Sequence, residues 1–419
     1  MRILLIVDCY LPSVKSGARL IHDLGVEFGR QGHDVTILTP SDAISRALEV
    51  TTENGLRVVR VQTKKIKGIS KIFRASREVR LSAILWRHAK NYLLSDPRDL
   101  IIFYSPTIFF GALVRRLKMH WGCPAYLILR DIFPQWAVDS GILKKGLVWR
   151  YFRRREVEQY GIADFIGVES PANLKYFIDN FQSRPYRLEV LYNWASREDT
   201  RFQASGYRQR LGLDGKVVFV YGGNLGVVQD LDNFVRLADR LKAHKEIHIL
   251  LVGEGSELSR LEKLIAQRNL SNIQILGTLP REHYMSMVAE ADVGLISLDR
   301  RLKTHNLTGK LLGYLQSGKP VLASVNPGND LFEILRQHQA GFCILNGDDD
   351  GLSSAALRLA NDPGMRANMG KNSRKLLEEL FSAEAAVRQI VQKMPPEPKG
   401  VVQASLSGIA TSSFSASEI

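Results

Sequence analysis

The second half of the chain alternates short apolar runs with segments of helical periodicity, and this alternation limits its possible folds more than any other feature. Predicted strands occupy residues 217–221, 247–252, 273–276, 293–297, 321–323 and 342–345. Strands that alternate with helices form parallel sheets with helices packed on both faces. We therefore predict a doubly wound, Rossmann-like α/β sheet in this half.

The first half shows the same alternation with longer segments between the strands. Its predicted strands occupy residues 3–7, 35–38, 56–61, 100–104, 125–129 and 165–168. A polar stretch at 196–206 separates the halves, and 419 residues are enough for two separate cores. The predicted domains are 1–192 and 193–381, followed by a helix at 382–393 and a disordered tail, rich in proline and serine, at 394–419.

The composition excludes several classes of protein. No apolar window approaches the ~20 residues of a membrane span, and the run at 3–7 is too short for a signal peptide. The cysteines Cys9, Cys123 and Cys343 lack metal-ligand spacing and suit a reducing compartment. We expect a cytoplasmic protein that is soluble or peripheral to a membrane.

The formal net charge of +14 predicts a polyanionic partner. Residues 64–90 carry nine basic side chains against the single acid Glu78, and a second basic cluster at 144–155 surrounds aromatic residues. This pattern favours contact with an anionic membrane surface, although a solvated helix face over core aromatics is the alternative. We expect no nucleic-acid partner, because no recognised nucleic-acid motif is present.

The strongest candidate for a ligand site is the stretch 302–324. Thr308 is placed to cap a short helix, Gly318 to end it in the left-handed conformation, and Pro320 to stop it before the next strand. A helix start with free N–H groups and Lys310 beside it attracts an anion, most naturally a diphosphate. An ordinary capped helix with a solvated lysine is the alternative.

Three strand-end loops are further candidates, because ligands of doubly wound sheets bind at the carboxyl ends of the strands. Gly17 follows the first strand of the chain. Gly222, Gly223 and Asn224 follow the first strand of the second half. Glycines allow a close backbone approach to a ligand, although simple turns also use them. Glu254 could accept two ribose hydroxyls or cap the helix that follows it.

Arg130 and Asp131 end a strand of the first half, beside aromatic residues. Asp131 is a candidate acid or base, and Arg130 is its charge partner or a phosphate ligand; a structural ion pair is the alternative. The aspartates at 348–350 superficially suit a metal ion. They follow Asn-Gly in a polar loop, however, and more simply start a helix. We infer no metal site.

Taken together and in this order, these motifs resemble the GT-B glycosyltransferases of family 4, which build bacterial surface polysaccharides from nucleotide-sugars. The similar segments are residues 10–12, 16–17, 32–36, 190–193, 221–226, 251–255 and 310–324. The resemblance implies two Rossmann-like sheets that face an interdomain cleft. The stretch 130–136 is similar to a segment of the fucosamine-type acetamido-sugar transferases of O-antigen assembly.

The resemblance implies a retaining, metal-independent transfer that needs no cofactor. The donor would be a UDP-sugar, here of an N-acetylated 6-deoxyhexosamine, and the acceptor a polyprenyl-diphosphate-linked saccharide at the inner face of the cytoplasmic membrane. The implied donor site comprises Gly222, Gly223, Asn224, Glu254, Leu279, Asn306, Thr308, Gly309 and Lys310. Asp131 and Lys310 would be the catalytic residues. Gly17 and Arg130 would contact the acceptor.

The chain departs from the family pattern at two positions. His305 and Gly313 stand where many members carry glutamates, the second of which binds the donor ribose, so that Glu254 is left as a candidate for this contact. A glycine inside a helix costs about 1 kcal/mol relative to alanine, which suggests a need for space at Gly313. Two other functions stay open: a nucleotide-sugar 2-epimerase, and a non-catalytic subunit that binds a nucleotide-sugar or a partner enzyme.

Overall fold

The computed structural model describes residues 1–13, 15–65, 77–139, 142–181, 186–195, 206–302 and 307–394. Within these ranges the chain forms two sheets of mainly parallel strands covered by helices, which confirms the predicted α/β class. The strands of the first sheet end at Val190 and those of the second begin at Val217, while the domain limits stay a prediction. The predicted tail beyond Met394 and residues 66–76 of the basic segment lie outside the described ranges.

The first sheet contains β1 (Arg2–Ile6), β2 (Asp34–Ser41), β3 (Leu48–Glu53), β4 (Leu56–Gln62), β5 (Leu100–Ser105), β6 (Ala125–Leu129), β7 (Phe165–Val168) and β8 (Leu188–Val190). Its strand order is β3-β4-β2-β1-β5-β6-β7-β8, with β3 antiparallel to β4. The sequence analysis missed β3 and β8. β3 is a half-exposed edge strand with few large apolar residues, and β8 has only three residues.

The helices of this part of the chain are α1 (Ser16–Arg30), α2 (Leu81–Leu94), α3 (Gly111–Trp121), α4 (Gln135–Asp139), α5 (Leu147–Tyr160) and α6 (Pro171–Asn180). They cover both faces of the sheet. Leu24 of α1 is buried with Leu5 of β1 on one face, and Leu85 of α2 is buried with Leu4 on the other. Both faces of the sheet are therefore buried by helices, and its strand ends lie in loops.

The second sheet contains β9 (Val217–Gly222), β10 (Ile247–Val252), β11 (Ile273–Leu276), β12 (Val293–Ser297), β13 (Val321–Val325) and β14 (Gly341–Leu345). All six predicted strands are confirmed, and they pair in parallel in the order β11-β10-β9-β12-β13-β14. The direction of the order reverses between β9 and β12. Sheets of this type bind ligands in the crevice at such a switch point.

The helices of this part are α7 (Tyr207–Arg210), α8 (Asp232–Arg240), α9 (Leu258–Gln267), α10 (Arg281–Glu290), α11 (Gly309–Gln316), α12 (Leu331–Gln337), α13 (Asp349–Asn361) and α14 (Pro363–Leu380). The short helix predicted after Thr308 is confirmed as α11. Gly318 follows it with φ +62°, as predicted, and Pro320 precedes β13. None of the helices in the described part of the chain has the length and apolar character needed to cross a membrane.

A last helix, α15 (Ala383–Gln392), confirms the helix predicted at 382–393 and packs on the first domain. The Ser382 hydroxyl accepts the Ala385 N–H at 3.0 Å and caps the helix. Val387 and Ile390 are fully buried in the core formed with α1. Ser382 also pairs with Ala195 of the junction. The chain therefore crosses between the two domains twice, at neighbouring points.

Candidate functional site

A cleft of about 700 Å³ lies between the carboxyl ends of the two sheets. Its N-terminal wall comes from α1, from the loops that follow β1, β5, β6 and β7, and from the junction after β8. Its C-terminal wall comes from the end of β9 and from α10 and α11. The cleft brings together six residues of the predicted site: Gly17, Arg130, Asp131, Gly222, Gly309 and Lys310.

The remaining predicted residues do not line this cleft. Gly223, Asn224, Glu254, Leu279 and Thr308 lie outside its lining, and Asn306 and His305 lie outside the described residues. The loops after β9 and β10 pack on each other, because the Gly223 N–H donates to the Val252 carbonyl at 2.9 Å. Gly253 has φ +143°, and a Cβ there would lie 1.9 Å from the Gly223 oxygen. Glycine at 253 is thus required by loop packing.

Lys310 is the cation of the C-terminal wall. Burial lowers the pKa of its ammonium to about 8, and no carboxylate among the described residues forms an ion pair with it. Its Nζ atom lies 4.9 Å from the centre of the Tyr221 ring. A Cβ at Gly223 would lie 2.9 Å from the Lys310 Cε atom, so the glycine leaves room for the lysine. A desolvated, unpaired ammonium in a cleft attracts an anion.

The start of α11 differs from the prediction in one respect. Thr308 precedes the helix with extended dihedral angles, but its hydroxyl does not cap the first turn. The Thr308 Oγ1 atom is buried and has no hydrogen-bond partner in the described chain. The predicted side-chain cap is therefore wrong. The Thr308 side chain thus leaves the first-turn N–H groups uncapped, although the Leu311 N–H donates to the Thr308 carbonyl at 3.1 Å. A helix start of this kind, beside Lys310, favours an anion.

The C-terminal wall lacks carboxylates within the described lining. Gly313 lies in α11, and a Cβ there would contact the Met285 Sδ atom at 3.4 Å, so that the position is roomy rather than crowded. Glu254 is exposed and outside the cleft. The alternative that Glu254 caps the next helix is wrong, since α9 begins at Leu258 and no side chain caps it. The carboxylates that line the cleft are on the N-terminal wall: Asp8, Asp23, Asp131 and Glu169.

Arg130 is almost completely buried at the base of the N-terminal wall. Its guanidinium donates to Asn193 Oδ1 at 2.6 Å and to the Tyr192 carbonyl at 3.3 Å, and it stacks 5.5 Å above the Trp194 ring centre. Burial lowers the pKa of Arg130, while the charge of Glu169 opposes this effect. These contacts tie β6 to the interdomain junction. They leave few donor groups of Arg130 for a ligand.

Glu169 is a cleft residue that the sequence analysis missed. Asn193 donates to its Oε1 atom at 2.5 Å, and its Oε2 atom has no donor within the described chain. Burial raises the pKa of Glu169; the charge of Arg130 lowers it and that of Asp131 raises it. Glu169 directly follows β7, as Asp8 follows β1 after one apolar residue. The strand-end rule that selected Asp131 could have found both.

Two glycines of the cleft make room for tyrosines. A Cβ at Gly17 would lie 2.8 Å from the Tyr104 ring, and a Cβ at Gly222 would lie 2.1 Å from the Tyr284 hydroxyl. The neighbouring rings therefore explain these glycines without a ligand. Both residues still line the cleft, so their predicted contacts with acceptor and donor stay predictions.

The aspartates at 348–350 start α13, as predicted. Asp348 accepts the Gly351 N–H at 2.8 Å and caps the helix. Asp349 pairs with Arg236 at 2.8 Å, and Asp350 pairs with Arg240. All three carboxylates thus have structural partners.

Two family models match the chain. The model of the glycosyl transferase 4-like domain matches residues 17–194, and the model of the glycosyl transferases group 1 matches residues 205–376. The two matches cover the whole second sheet and all strands of the first except β1, together with most of the residues that line the cleft. Residues 17–194 therefore form a glycosyl transferase 4-like domain and residues 205–376 a group 1 glycosyltransferase domain, and the two together have the GT-B fold.

The comparisons also found individual similar proteins. The chain is 25% identical over 233 residues to the probable glycosyltransferase WbjE of Pseudomonas aeruginosa, with 54% of this chain and 57% of WbjE covered. It is 32% identical over 235 residues to the putative colanic acid biosynthesis glycosyl transferase WcaI of Escherichia coli K12, with 52% and 56% covered. The chain thus spans little more than half the length of these curated relatives. The structure of Anabaena HepE in complex with UDP superimposes with a TM-score of 0.65 at 16% identity, covering 94% of this chain and 99% of HepE, which supports the fold.

Proposed function

We propose that this protein transfers a sugar from a UDP-sugar to a polyprenyl-diphosphate-linked saccharide in the assembly of a bacterial surface polysaccharide. The observation that carries the proposal is the unpaired, desolvated Lys310 in a cleft whose opposite wall holds carboxylates. The names of WbjE and WcaI and the UDP bound to HepE support this class of donor and product. The donor sugar, an N-acetylated 6-deoxyhexosamine, follows from the resemblance to fucosamine-type transferases.

The donor diphosphate would bind at Lys310 and at the start of α11. Its negative charge meets a cation and the positive end of the helix dipole there, with no carboxylate of the described C-terminal wall to repel it. These groups would also stabilise the charge that develops on the leaving UDP, so the proposed transfer needs no metal ion. Gly222, Gly223, Asn224 and Leu279 stay proposed donor residues.

The acceptor would bind at the N-terminal wall. Asp131 and Glu169 can accept hydrogen bonds from sugar hydroxyls, and one of them would take the proton of the attacking hydroxyl. As that proton leaves, the bond from the anomeric carbon to UDP breaks, and the acceptor oxygen bonds to that carbon from the same face, which retains its configuration. Arg130 would act as a positioning residue, because it fixes Asn193, which in turn holds Glu169. We propose a retaining outcome and a location at the inner face of the cytoplasmic membrane.

A donor screen tests the proposal. The purified protein is incubated with UDP-sugars and membrane extracts that contain lipid-linked monosaccharides, and products are identified by mass. We expect one donor to extend the lipid-linked saccharide. Lys310→Ala should abolish this product and leave the fold unchanged, whereas Lys263→Ala, an exposed lysine on α9, should remain active. A fully active Lys310→Ala variant would contradict the proposal.

A nucleotide-sugar 2-epimerase is the second candidate, favoured by the carboxylates that the cleft holds. Incubation with a UDP-acetamido-sugar alone, without acceptor, separates the two functions. An epimerised nucleotide-sugar would support the epimerase, and an unchanged one would support the transferase.

A further inference from the structure

A second pocket lies on the first domain, between α2, α3 and α5. It has a volume of about 240 Å³ and an apolar floor that includes Ile108 and Phe109. Three arginines, Arg115, Arg116 and Arg155, stand at its rim. We call it the arginine pocket. Nothing in the proposed chemistry of the cleft uses it.

The arginine pocket carries an excess of positive charge. Its one carboxylate, Glu158, accepts hydrogen bonds from Arg154 at 3.0 Å and from Arg155 at 2.8 Å. Neither Arg115 nor Arg116 forms an ion pair in the described part of the chain, and Arg116 stacks on the Trp86 ring instead. Exposed guanidinium groups without acidic partners suit a phosphate or diphosphate.

Apolar surface adjoins these arginines. Tyr151 of the pocket is partly exposed, and Leu147 and Val148, one turn before it on α5, are 82% and 58% exposed. These apolar side chains and the arginines form one surface. Its arginine part suits an anion, and its apolar part suits a hydrocarbon chain. A prenyl diphosphate has this combination of groups.

The arginine pocket lies close to the cleft. Pro106 lines the cleft and Ile108 lines the pocket, and the Cα atoms of residues two apart lie within about 7 Å. The ring of Phe152 contacts Phe109 of the pocket at 6.3 Å and Phe133, which follows the cleft residue Asp131, at 5.0 Å. A ridge of aromatic side chains thus lies between the two sites; Phe109 is buried, whereas Phe152 and Phe133 are partly exposed and can stack on sugar rings.

The carboxylates at the acceptor end of the cleft favour a separate anion site for the acceptor. A diphosphate beside Asp131 and Glu169 would be repelled, whereas a neutral saccharide would not. We infer that the arginine pocket binds the diphosphate of the lipid-linked acceptor, while its saccharide lies across the aromatic ridge with its end in the cleft. The identity of this ligand rests on the proposed transfer reaction.

Binding of farnesyl diphosphate, a soluble prenyl diphosphate, tests the inference without any turnover. Isothermal titration of the full chain compares the wild type with the double variant Arg115→Ala/Arg116→Ala. Loss of one or two charge-assisted contacts should weaken binding about ten- to hundred-fold, while UDP binding stays unchanged. The matched control is Arg87→Ala/Lys90→Ala, which removes equal charge from exposed positions of α2 outside the pocket and should bind farnesyl diphosphate normally.

Two results would overturn the inference. One is an equal loss of binding in both double variants, which would show a general charge effect. The other is weaker binding to phosphatidylglycerol vesicles with normal binding of farnesyl diphosphate, which would show a site for bilayer headgroups. The single variant Arg115→Ala, at a position without a described partner, repeats the test if the double variant misfolds. Failure of the transfer assay would leave these binding results intact, so the two proposals fail separately.

Discussion

The two walls of the cleft differ in charge and in the elements that build them. The N-terminal wall holds four carboxylates, on α1 and on loops after strands, together with Lys15, Arg19 and Arg130. The described C-terminal wall holds Arg281 and Lys310 and no carboxylate. The Arg130 guanidinium has hydrogen-bond partners, whereas the Lys310 ammonium has no hydrogen-bond or ion-pair partner among the described residues. This difference favours binding of the donor diphosphate at the C-terminal wall and of the acceptor hydroxyl groups at the N-terminal wall.

Reversal of the charge of Lys310 should have the largest effect. Lys310→Glu places a carboxylate where the diphosphate would bind, and we expect a loss of about 10³-fold or more in kcat/KM with no measurable UDP binding, because attraction becomes repulsion. Arg281→Glu is the control on the same wall. Arg281 is exposed at the start of α10, and its variant should lose only about ten-fold. An equal loss in both variants would show that the whole wall, rather than Lys310, binds the diphosphate.

Removal of a carboxylate from the opposite wall should act on the acceptor. We expect Glu169→Gln and Asp131→Asn each to lower kcat/KM for the acceptor by about 10- to 100-fold, with UDP affinity unchanged. Steady-state kinetics with each substrate varied in turn measures this. Glu282→Gln removes the same charge from an exposed position outside the cleft and should be neutral. Weaker UDP binding in Glu169→Gln would contradict the assignment of the acceptor to the N-terminal wall and of the donor to the C-terminal wall.

The pH dependence of UDP binding should report on Lys310. Its pKa is about 8, so the ammonium is charged below this pH and loses its proton above it. Attraction for the diphosphate is therefore present at neutral pH and is lost as the pH rises through 8. For one such group, the dissociation constant of UDP should increase about ten-fold between pH 7 and pH 9. Calorimetry at both pH values checks this, and a flat profile in Lys310→Met would assign it to the lysine.

Substitution of two glycines on the C-terminal wall should change the free energy of unfolding in opposite directions, and the change at Gly313 should be the smallest predicted effect. Gly313→Ala should raise the free energy of unfolding by about 0.5–1 kcal/mol, because alanine favours the helix and its Cβ would meet only Met285 at van der Waals distance. Gly222→Ala should lower it, because of the clash with Tyr284. Urea denaturation measures both. A destabilised Gly313→Ala variant would indicate that the space beside α11 is smaller than described.

The sequence predicted the second sheet better than the first. All six strands of the second sheet have large apolar residues and alternate with helices of regular length, so local sequence patterns were sufficient to predict them. β3 was missed because half of it faces solvent, and β8 because it is short. Lys310 could be found from its place at a helix start. The burial of Arg130 depends on Asn193, 63 positions away, which no local pattern shows.

The position of α15 has a consequence for the order in which the protein folds during synthesis. The core that contains α1 is complete only when Val387 and Ile390 have left the ribosome. The second domain is made before that point and needs neither residue for its own core clusters. The half that is translated first is therefore finished last, and the nascent first domain exposes an apolar groove on α1 until the helix closes it.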